Sequence, residues 1–167
     1  AELPEVDAIV GTTATEAIVD AVEEALNGKG YTHFEDINYL PPSHTKRVIT
    51  SGTYMGYLKI AEGCDKHCTY CIIPKVRGNY RSVPMPELIE QAKYLVDNGI
   101  TEICLVAQET TVYGTDLYGK KMLPELLHEL SKIEDLQWIR LLYCYPEEIT
   151  PELICEIRDN AKVCHYI

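Results

Sequence analysis

The chain has 167 residues, with 15 Lys and Arg against 26 Asp and Glu, and a formal net charge of −11. Hydrophobic residues make up 46% and charged residues 25%, which is a globular composition and excludes a disordered or collagen-like chain. No apolar run approaches the roughly 18 residues that a membrane span needs. The acidity argues against binding nucleic acid by charge alone, because phosphate binding needs clustered Lys and Arg, and it favours a basic partner.

The beginning of the chain predicts a strand and a helix, and no targeting sequence. Its acidic start lacks the apolar stretch of a signal peptide, and because it begins without Met we expect Ala1 not to be the natural start. Val6–Val10 is a short apolar run. Thr13 and Glu16 then have the spacing of a capping box before a helix that ends at an Asn-Gly pair. A weakly extended segment follows, and we place a linker near Pro41–Thr45.

After the linker, strands and helices alternate. Strands are predicted over 57–61, 102–107 and 138–142, with the start of another at 162–167. Helices are predicted to open near Pro86, Pro124 and Pro151, the last with Thr150 as its N-cap. Such alternation predicts parallel strands with right-handed crossovers, as in α/β sheets and barrels.

Polar and thiol side chains follow each predicted strand. The sites of parallel α/β folds form at the carboxyl ends of the strands, so these residues are expected on one rim. They are Cys64, Cys68 and Cys71 after the first strand, Gln108, Glu109, Thr110 and Thr111 after the second, and Tyr143, Cys144, Tyr145 and Pro146 after the third.

Three of the seven cysteines form the pattern C-x3-C-x2-C at Cys64, Cys68 and Cys71. Nothing indicates secretion, so we expect a reduced, cytoplasmic setting in which thiolates serve as ligands. These spacings let a tight loop wrap its thiolates around one metal centre, as iron–sulfur and zinc loops do. Zinc held by the three thiolates and His67 is one alternative, although His67 directly precedes Cys68 and is an awkward fourth ligand. Three ordinary loop thiols are the other.

Two further expectations concern the surroundings of this pattern. Four basic residues are expected to offset the negative charge of the thiolates: Lys66, Lys75, Arg77 and Arg81. The remaining cysteines are expected to be packing thiols: Cys104, Cys144, Cys155 and Cys164.

The residues around the cysteines identify a family. The run from Tyr57 through Cys71 to Pro74 and Arg77-Gly78 closely resembles radical S-adenosylmethionine methylthiotransferases. A second stretch, Val106–Tyr118, is similar to the branch that modifies a ribosomal protein and differs from the tRNA-modifying branch. A third, Trp138–Tyr143 with Tyr145-Pro146, points the same way.

The resemblance implies a fold and a division into domains. Residues 1–43 would be the C-terminal part of an α/β N-terminal methylthiotransferase domain plus linker. Residues 44–167 would be the N-terminal half of a radical SAM (β/α) TIM-like barrel, with its first three to four strands. The chain would thus be an internal fragment, expected to bind a cluster poorly and to be inactive alone. It departs from the family at Val83, where an arginine is usual, and it lacks the three further cysteines that hold the family's second cluster.

The resemblance also implies an activity. A 4Fe-4S cluster on Cys64, Cys68 and Cys71 would bind S-adenosylmethionine, with Tyr70 against the adenine and Gln108 near the amino group. The resulting 5′-deoxyadenosyl radical would abstract a hydrogen atom from the β-carbon of an aspartate in the twelfth small-subunit ribosomal protein, and a methylthio group would be installed there. A flavodoxin or ferredoxin would donate electrons, with no membrane or nucleic acid as partner. The alternatives are a tRNA (adenosine) methylthiotransferase and a non-catalytic zinc-binding module.

Overall fold

The computed structural model describes residues 4–40, 48–49 and 54–167. The linker predicted at Pro41–Thr45 lies outside the described residues. A small N-terminal unit contains β1 (Ala8–Val10), α1 (Ile18–Leu26) and β2 (Tyr31–His33). A larger unit contains β3 (Met55–Lys59), β4 (Ala61–Glu62), α2 (Ile73–Arg77), β5 (Arg81–Ser82), α3 (Met85–Asp97), β6 (Glu102–Val106), α4 (Thr115–Tyr118), α5 (Leu123–Ser131), β7 (Trp138–Leu141) and α6 (Pro151–Asp159).

In the N-terminal unit, β1 and β2 pair in parallel and α1 connects them. The predicted capping box is wrong. The hydroxyl of Thr13 is buried and donates to the carbonyl of Asp36 at 3.1 Å, so it does not cap the helix. A short 3-10 turn, Thr15–Ala17, leads into α1, and neither element has a side-chain hydrogen bond at its N-cap. The Thr13 hydroxyl that was predicted to cap the helix therefore binds the loop after β2 instead.

The centre of the larger unit is a parallel sheet in the order β3–β6–β7. The middle strand β6 is a buried apolar run, whereas β3 and β7 alternate between buried and more exposed residues, so one face of these two strands packs on the core. Helix α3 packs on β3 and on α5, and α5 packs on α6. Their apolar faces and the sheet share one core, whose fully buried leucines are Leu58, Leu88, Leu105, Leu123, Leu126, Leu127, Leu130 and Leu136. The alternation of strands and helices predicted from the sequence is confirmed.

One feature of the sheet agrees with the expectation that only the first barrel strands are present, and one differs from the prediction. Within the described residues the sheet is open and no closed barrel is formed. The strand predicted over 162–167 is reduced to one parallel bridge between Ile139 and Val163. Beyond that bridge the chain turns on itself, because the amide of Tyr166 donates to the carbonyl of Cys164 at 2.7 Å instead of to a neighbouring strand. In the described part of the chain, none of the helices is long and apolar enough to span a membrane.

An antiparallel hairpin that the sequence did not predict holds the cysteine loop, residues 63–72. Strand β4 pairs with β5, with Glu62 opposite Arg81, and the loop leaves from the end of β4. Gly63 has a φ of +78°, and a Cβ built there would lie 2.0 Å from the carbonyl oxygen of Asn79. The amide of Cys64 donates to the carbonyl of Gly78 at 3.2 Å. The hairpin thus fixes the first cysteine at the carboxyl end of β3.

Candidate functional site

The cysteine loop is tightly turned and carries three free thiols. Cys64 is buried at the base of the loop, whereas Cys68 and Cys71 are half-buried, and all seven cysteines of the chain are free. The amide of Cys71 donates to the carbonyl of Cys68 at 2.9 Å, and His67 has the left-handed φ of +47°. Cys68 and Cys71 are therefore partly open to solvent, whereas Cys64 is largely enclosed.

Glu62 anchors the loop from below. Its side chain is only 6% exposed, yet its carboxylate pairs with Lys59 and lies 3.6 Å from the guanidinium of Arg77. It also accepts the amide of Gly63 at 3.2 Å. Burial raises the pKa of this carboxyl group, but the hydrogen bond and charge of Lys59 outweigh it, so the pKa lies below its ordinary value. The residue before the loop is therefore an ionised, charge-paired anchor.

The residues predicted to share one rim do converge. The hydroxyl of Thr110, which is fully buried, lies 2.9 Å from the carbonyl of Leu142, 3.1 Å from that of Tyr143 and 3.3 Å from the Cys144 thiol. Its amide also donates to the carbonyl of Tyr143 at 3.1 Å. These contacts hold Tyr143 at a φ of +61° and turn its side chain, 66% exposed, toward solvent. The loops after β6 and β7 are thereby locked together.

Glu109 joins the same rim to the hairpin. Its side chain is 2% exposed, and one carboxylate oxygen accepts the amide of Thr111 at 3.0 Å and that of Tyr145 at 3.4 Å. Its carbonyl accepts the hydroxyl of Tyr80 at 2.9 Å. Burial raises the pKa of this tyrosine, so it stays a neutral donor.

A cleft of about 430 Å³ opens between the cysteine loop and these rim loops. Among the residues that line it are Cys64, Asp65, Lys66, Glu109, Asp116 and Glu148. Four of these six are carboxylates, and the lysine pairs with Glu148. The cleft therefore combines charged groups with apolar surface from residues such as Tyr80 and Val112, and one candidate ligand thiol lies at its wall.

The structure does not bring every predicted site residue into this cleft. Tyr70 is 89% exposed on the outside of the loop. Gln108 follows β6, and its side-chain oxygen is buried without a hydrogen-bond partner among the described residues. A buried amide oxygen without a partner is costly, and a bound donor would relieve that cost. Of the five predicted positions, Cys64 alone borders the cleft.

Other expectations about the surroundings need correction. Lys66 and Arg77 are paired with the carboxylates of Glu148 and Glu62, so their charge is largely engaged there and not by thiolates. Cys104 and Cys164 are buried as expected, but Cys155 is exposed. The buried positions of α6 are Leu153 and Ile157, which places Cys155 between them on the solvent side of the helix. Its predicted packing role is wrong.

Two functional candidates were missed by sequence reasoning. Glu62 stands in a strand whose two residues are both buried, and its position directly before the Gly-Cys pair was the only available signal. Glu148 lies in the turn after β7 and receives Lys66 and Lys121, which are distant in sequence. No local pattern predicts such a three-residue contact.

Comparison with known proteins assigns the family. The model of the radical SAM superfamily matches residues 58–167. The chain belongs to this superfamily, and membership implies a 4Fe-4S cluster and S-adenosylmethionine as cofactors. Membership in this superfamily argues against the alternative of a non-catalytic zinc-binding module.

Curated relatives are more similar still. The chain is 58% identical over 167 residues to the ribosomal protein uS12 methylthiotransferase RimO of Lachnoclostridium phytofermentans. It is 51% identical over 166 residues to the RimO of Caldanaerobacter subterraneus subsp. tengcongensis. These alignments cover 100% and 99% of this chain but 38% of each relative, so the chain spans well under half the length of the relatives it matches.

Solved structures share the fold. The radical S-adenosylmethionine methyltransferase TsrM from Kitasatospora setae, with cobalamin and a [4Fe-4S] cluster bound, superposes with a TM-score of 0.52 at 19% identity. The match covers 65% of this chain and 21% of that one. At this identity the likeness supports the fold alone.

The donor set fits the implied cluster. Iron–sulfur clusters are held by Cys thiolates, and three free thiols occupy one short loop here. Within the described residues, no group of three or more His, Cys, Asp or Glu side chains is arranged around a single metal ion. The three thiols therefore fit an iron–sulfur cluster by their chemical type, and not by a ligand geometry that is already formed.

Proposed function

We propose that this chain is part of a ribosomal protein uS12 methylthiotransferase, which attaches a methylthio group to the β-carbon of an aspartate. The observation that carries the proposal is identity of 44–58% to proteins of that name over essentially the whole chain. The net charge of −11 supports a basic ribosomal protein over tRNA as substrate, because like charge repels the phosphate backbone.

Cys64, Cys68 and Cys71 are the proposed cluster ligands. Three protein thiolates leave one iron open for the amino and carboxylate groups of S-adenosylmethionine. The half-buried positions of Cys68 and Cys71 support this role, because a cofactor must reach the cluster from solvent. When bound, the cluster supplies the electron that cleaves S-adenosylmethionine reductively.

Two further residues are proposed to bind the cofactor. Gln108 would accept a hydrogen bond from the amino group of S-adenosylmethionine, and its buried side-chain oxygen, which has no hydrogen-bond partner among the described residues, supports that role. Tyr70 would lie against the adenine, for which its exposed ring is available. The residues of this chain would then bind, orient and shield the cofactors. Glu62 anchors the cysteine loop, and Thr110 and Glu109 hold the rim loops beside it.

The wider organisation is also a proposal. Residues 1–43 would end an N-terminal methylthiotransferase domain, and 44–167 would begin the radical SAM barrel. A second 4Fe-4S cluster in the parent enzyme would be held by cysteines outside this chain. A flavodoxin or ferredoxin in the cytoplasm would supply electrons, and the seven free thiols fit that reducing compartment.

Methylthiolation of a uS12 segment tests the function. The complete enzyme is reconstituted anaerobically and incubated with S-adenosylmethionine, a reductant, a sulfide source and a peptide that carries the target aspartate. We expect a mass gain of one methylthio group on the aspartate and none on a control peptide with asparagine there. Modification of tRNA adenosine in place of the peptide would refute the substrate.

A further inference from the structure

One carboxylate on the rim receives two lysines from two different loops. Lys66 of the cysteine loop pairs with Oε1 of Glu148, and Lys121, from the loop between α4 and α5, donates to Oε2 at 2.8 Å. Lys121 also donates to the backbone carbonyl of Glu148 at 2.8 Å. Glu148 itself lies in the 3-10 turn Pro146–Glu148 between β7 and α6. A single side chain therefore joins the loops that follow all three parallel strands.

The same turn touches the cysteine loop a second time. The ammonium of Lys66 stands 4.7 Å from the ring centroid of Tyr145, within the range of a cation–π contact. Lys66 is thus held between a carboxylate and a ring, two residues before Cys68.

The side chains of Lys66, Lys121 and Glu148 are partly buried, which strengthens the ion pairs between them. The side chains of Lys66, Lys121 and Glu148 are 25%, 28% and 26% exposed, whereas those of the surface pair Lys132–Glu129 are 56% and 39% exposed. Ion pairs with restricted access to water are screened less than open ones. The hydrogen bonds from Lys121 and Lys66 lower the pKa of Glu148 to about 2, so the carboxylate is ionised throughout the physiological range.

We propose that Glu148 is a positioning residue for the cysteine loop, which it holds in place through Lys66 while Lys121 holds Glu148 itself. Glu148 touches neither cluster nor substrate in this role; it acts through the lysine beside Cys68. The inference rests on the proposed function, since it concerns the presentation of the proposed ligand thiols.

Hydrogen–deuterium exchange of the cluster-free chain tests the contact directly. We expect Glu148→Gln to speed exchange of the peptide over 63–72 about tenfold, because two charge-assisted hydrogen bonds become weak ones. Lys66→Gln should give most of the same increase, because it removes the ion pair that reaches the cysteine loop, and the double variant should not exceed Glu148→Gln, since the two changes share that pair. Glu148→Asp, which keeps the charge, should restore part of the protection.

A matched control and a cluster readout complete the test. Glu129→Gln breaks the exposed pair with Lys132 on α5 and should leave exchange of 63–72 unchanged. Anaerobic uptake of iron and sulfide should start several-fold more slowly in Glu148→Gln, with the final visible and electron paramagnetic resonance spectra unchanged. Exchange of 63–72 within twofold of wild type in Glu148→Gln, or equal acceleration in Glu129→Gln, overturns the inference. Failure of the complete wild-type enzyme to bind any cluster, with the exchange results as expected, instead overturns the proposed function.

Discussion

Substitution of Gly63 by Ala is expected to destabilise the chain by about 2–5 kcal/mol. A non-glycine residue in the left-handed region costs about 1–2 kcal/mol. The new Cβ would also lie 2.0 Å from the carbonyl oxygen of Asn79 and 2.7 Å from that of Gly78. Both are backbone atoms of the turn before β5, so no flexible side chain can move aside, and forced backbone shifts of this kind cost about 1–3 kcal/mol.

Gly119 provides the matched control. Its φ of +68° is close to the +78° of Gly63, but a Cβ there meets nothing within 4 Å. Gly119→Ala should therefore cost about 1–2 kcal/mol, the left-handed contribution alone. Urea unfolding followed by far-ultraviolet circular dichroism measures both variants against wild type. Equal losses in the two variants would refute the claim that the hairpin backbone packs against Gly63.

Three other predictions follow from single contacts. Tyr113→Phe should lose about 1–2 kcal/mol in urea unfolding, because the fully buried hydroxyl donates to the carbonyl of Val83 at 2.9 Å; unchanged stability contradicts this. Thr150→Ala should lose about 1 kcal/mol, because its side chain accepts the amide of Leu153 at 3.3 Å, and Thr150→Ser should retain most of it. The pKa of Glu148 is lowered from 4.5 to about 2, so its contribution is complete above pH 4.5 and lost as pH falls toward 2. The stability advantage of wild type over Glu148→Gln should shrink across that window in urea unfolding at each pH, and a constant advantage would contradict it.

The elements of the larger unit were predictable because their signals are local. Short segments between the helical patterns predicted β3, β6 and β7, and a proline near the start marks α3, α5 and α6. The cap at Thr150 is confirmed for the same reason, since the hydroxyl and the amide that it accepts are three residues apart. The rule that loops gather at the carboxyl ends of parallel strands placed Thr110 and Tyr143 on the same rim, and the structure shows them in contact.

The remaining features depend on distant partners. The hairpin of β4 and β5 consists of two-residue strands, too short for any periodicity. Thr13 has a sound capping pattern, but the carbonyl of Asp36 takes its hydroxyl. The ion pair between Lys66 and Glu148 joins residues 82 positions apart, and nothing near Lys66 in the sequence indicates its partner.

Anaerobic reconstitution with iron and sulfide tests the central claim, that Cys64, Cys68 and Cys71 hold a cluster. The chain, its Cys68→Ala variant and the control Cys155→Ala, whose thiol lies exposed on α6, are compared by bound iron and sulfide and by Mössbauer spectra. We predict a 4Fe-4S signature in wild type at low occupancy, the same in Cys155→Ala, and its loss in Cys68→Ala. Equal iron and sulfide in Cys68→Ala and wild type, or a colourless protein that takes up zinc instead, would contradict the account.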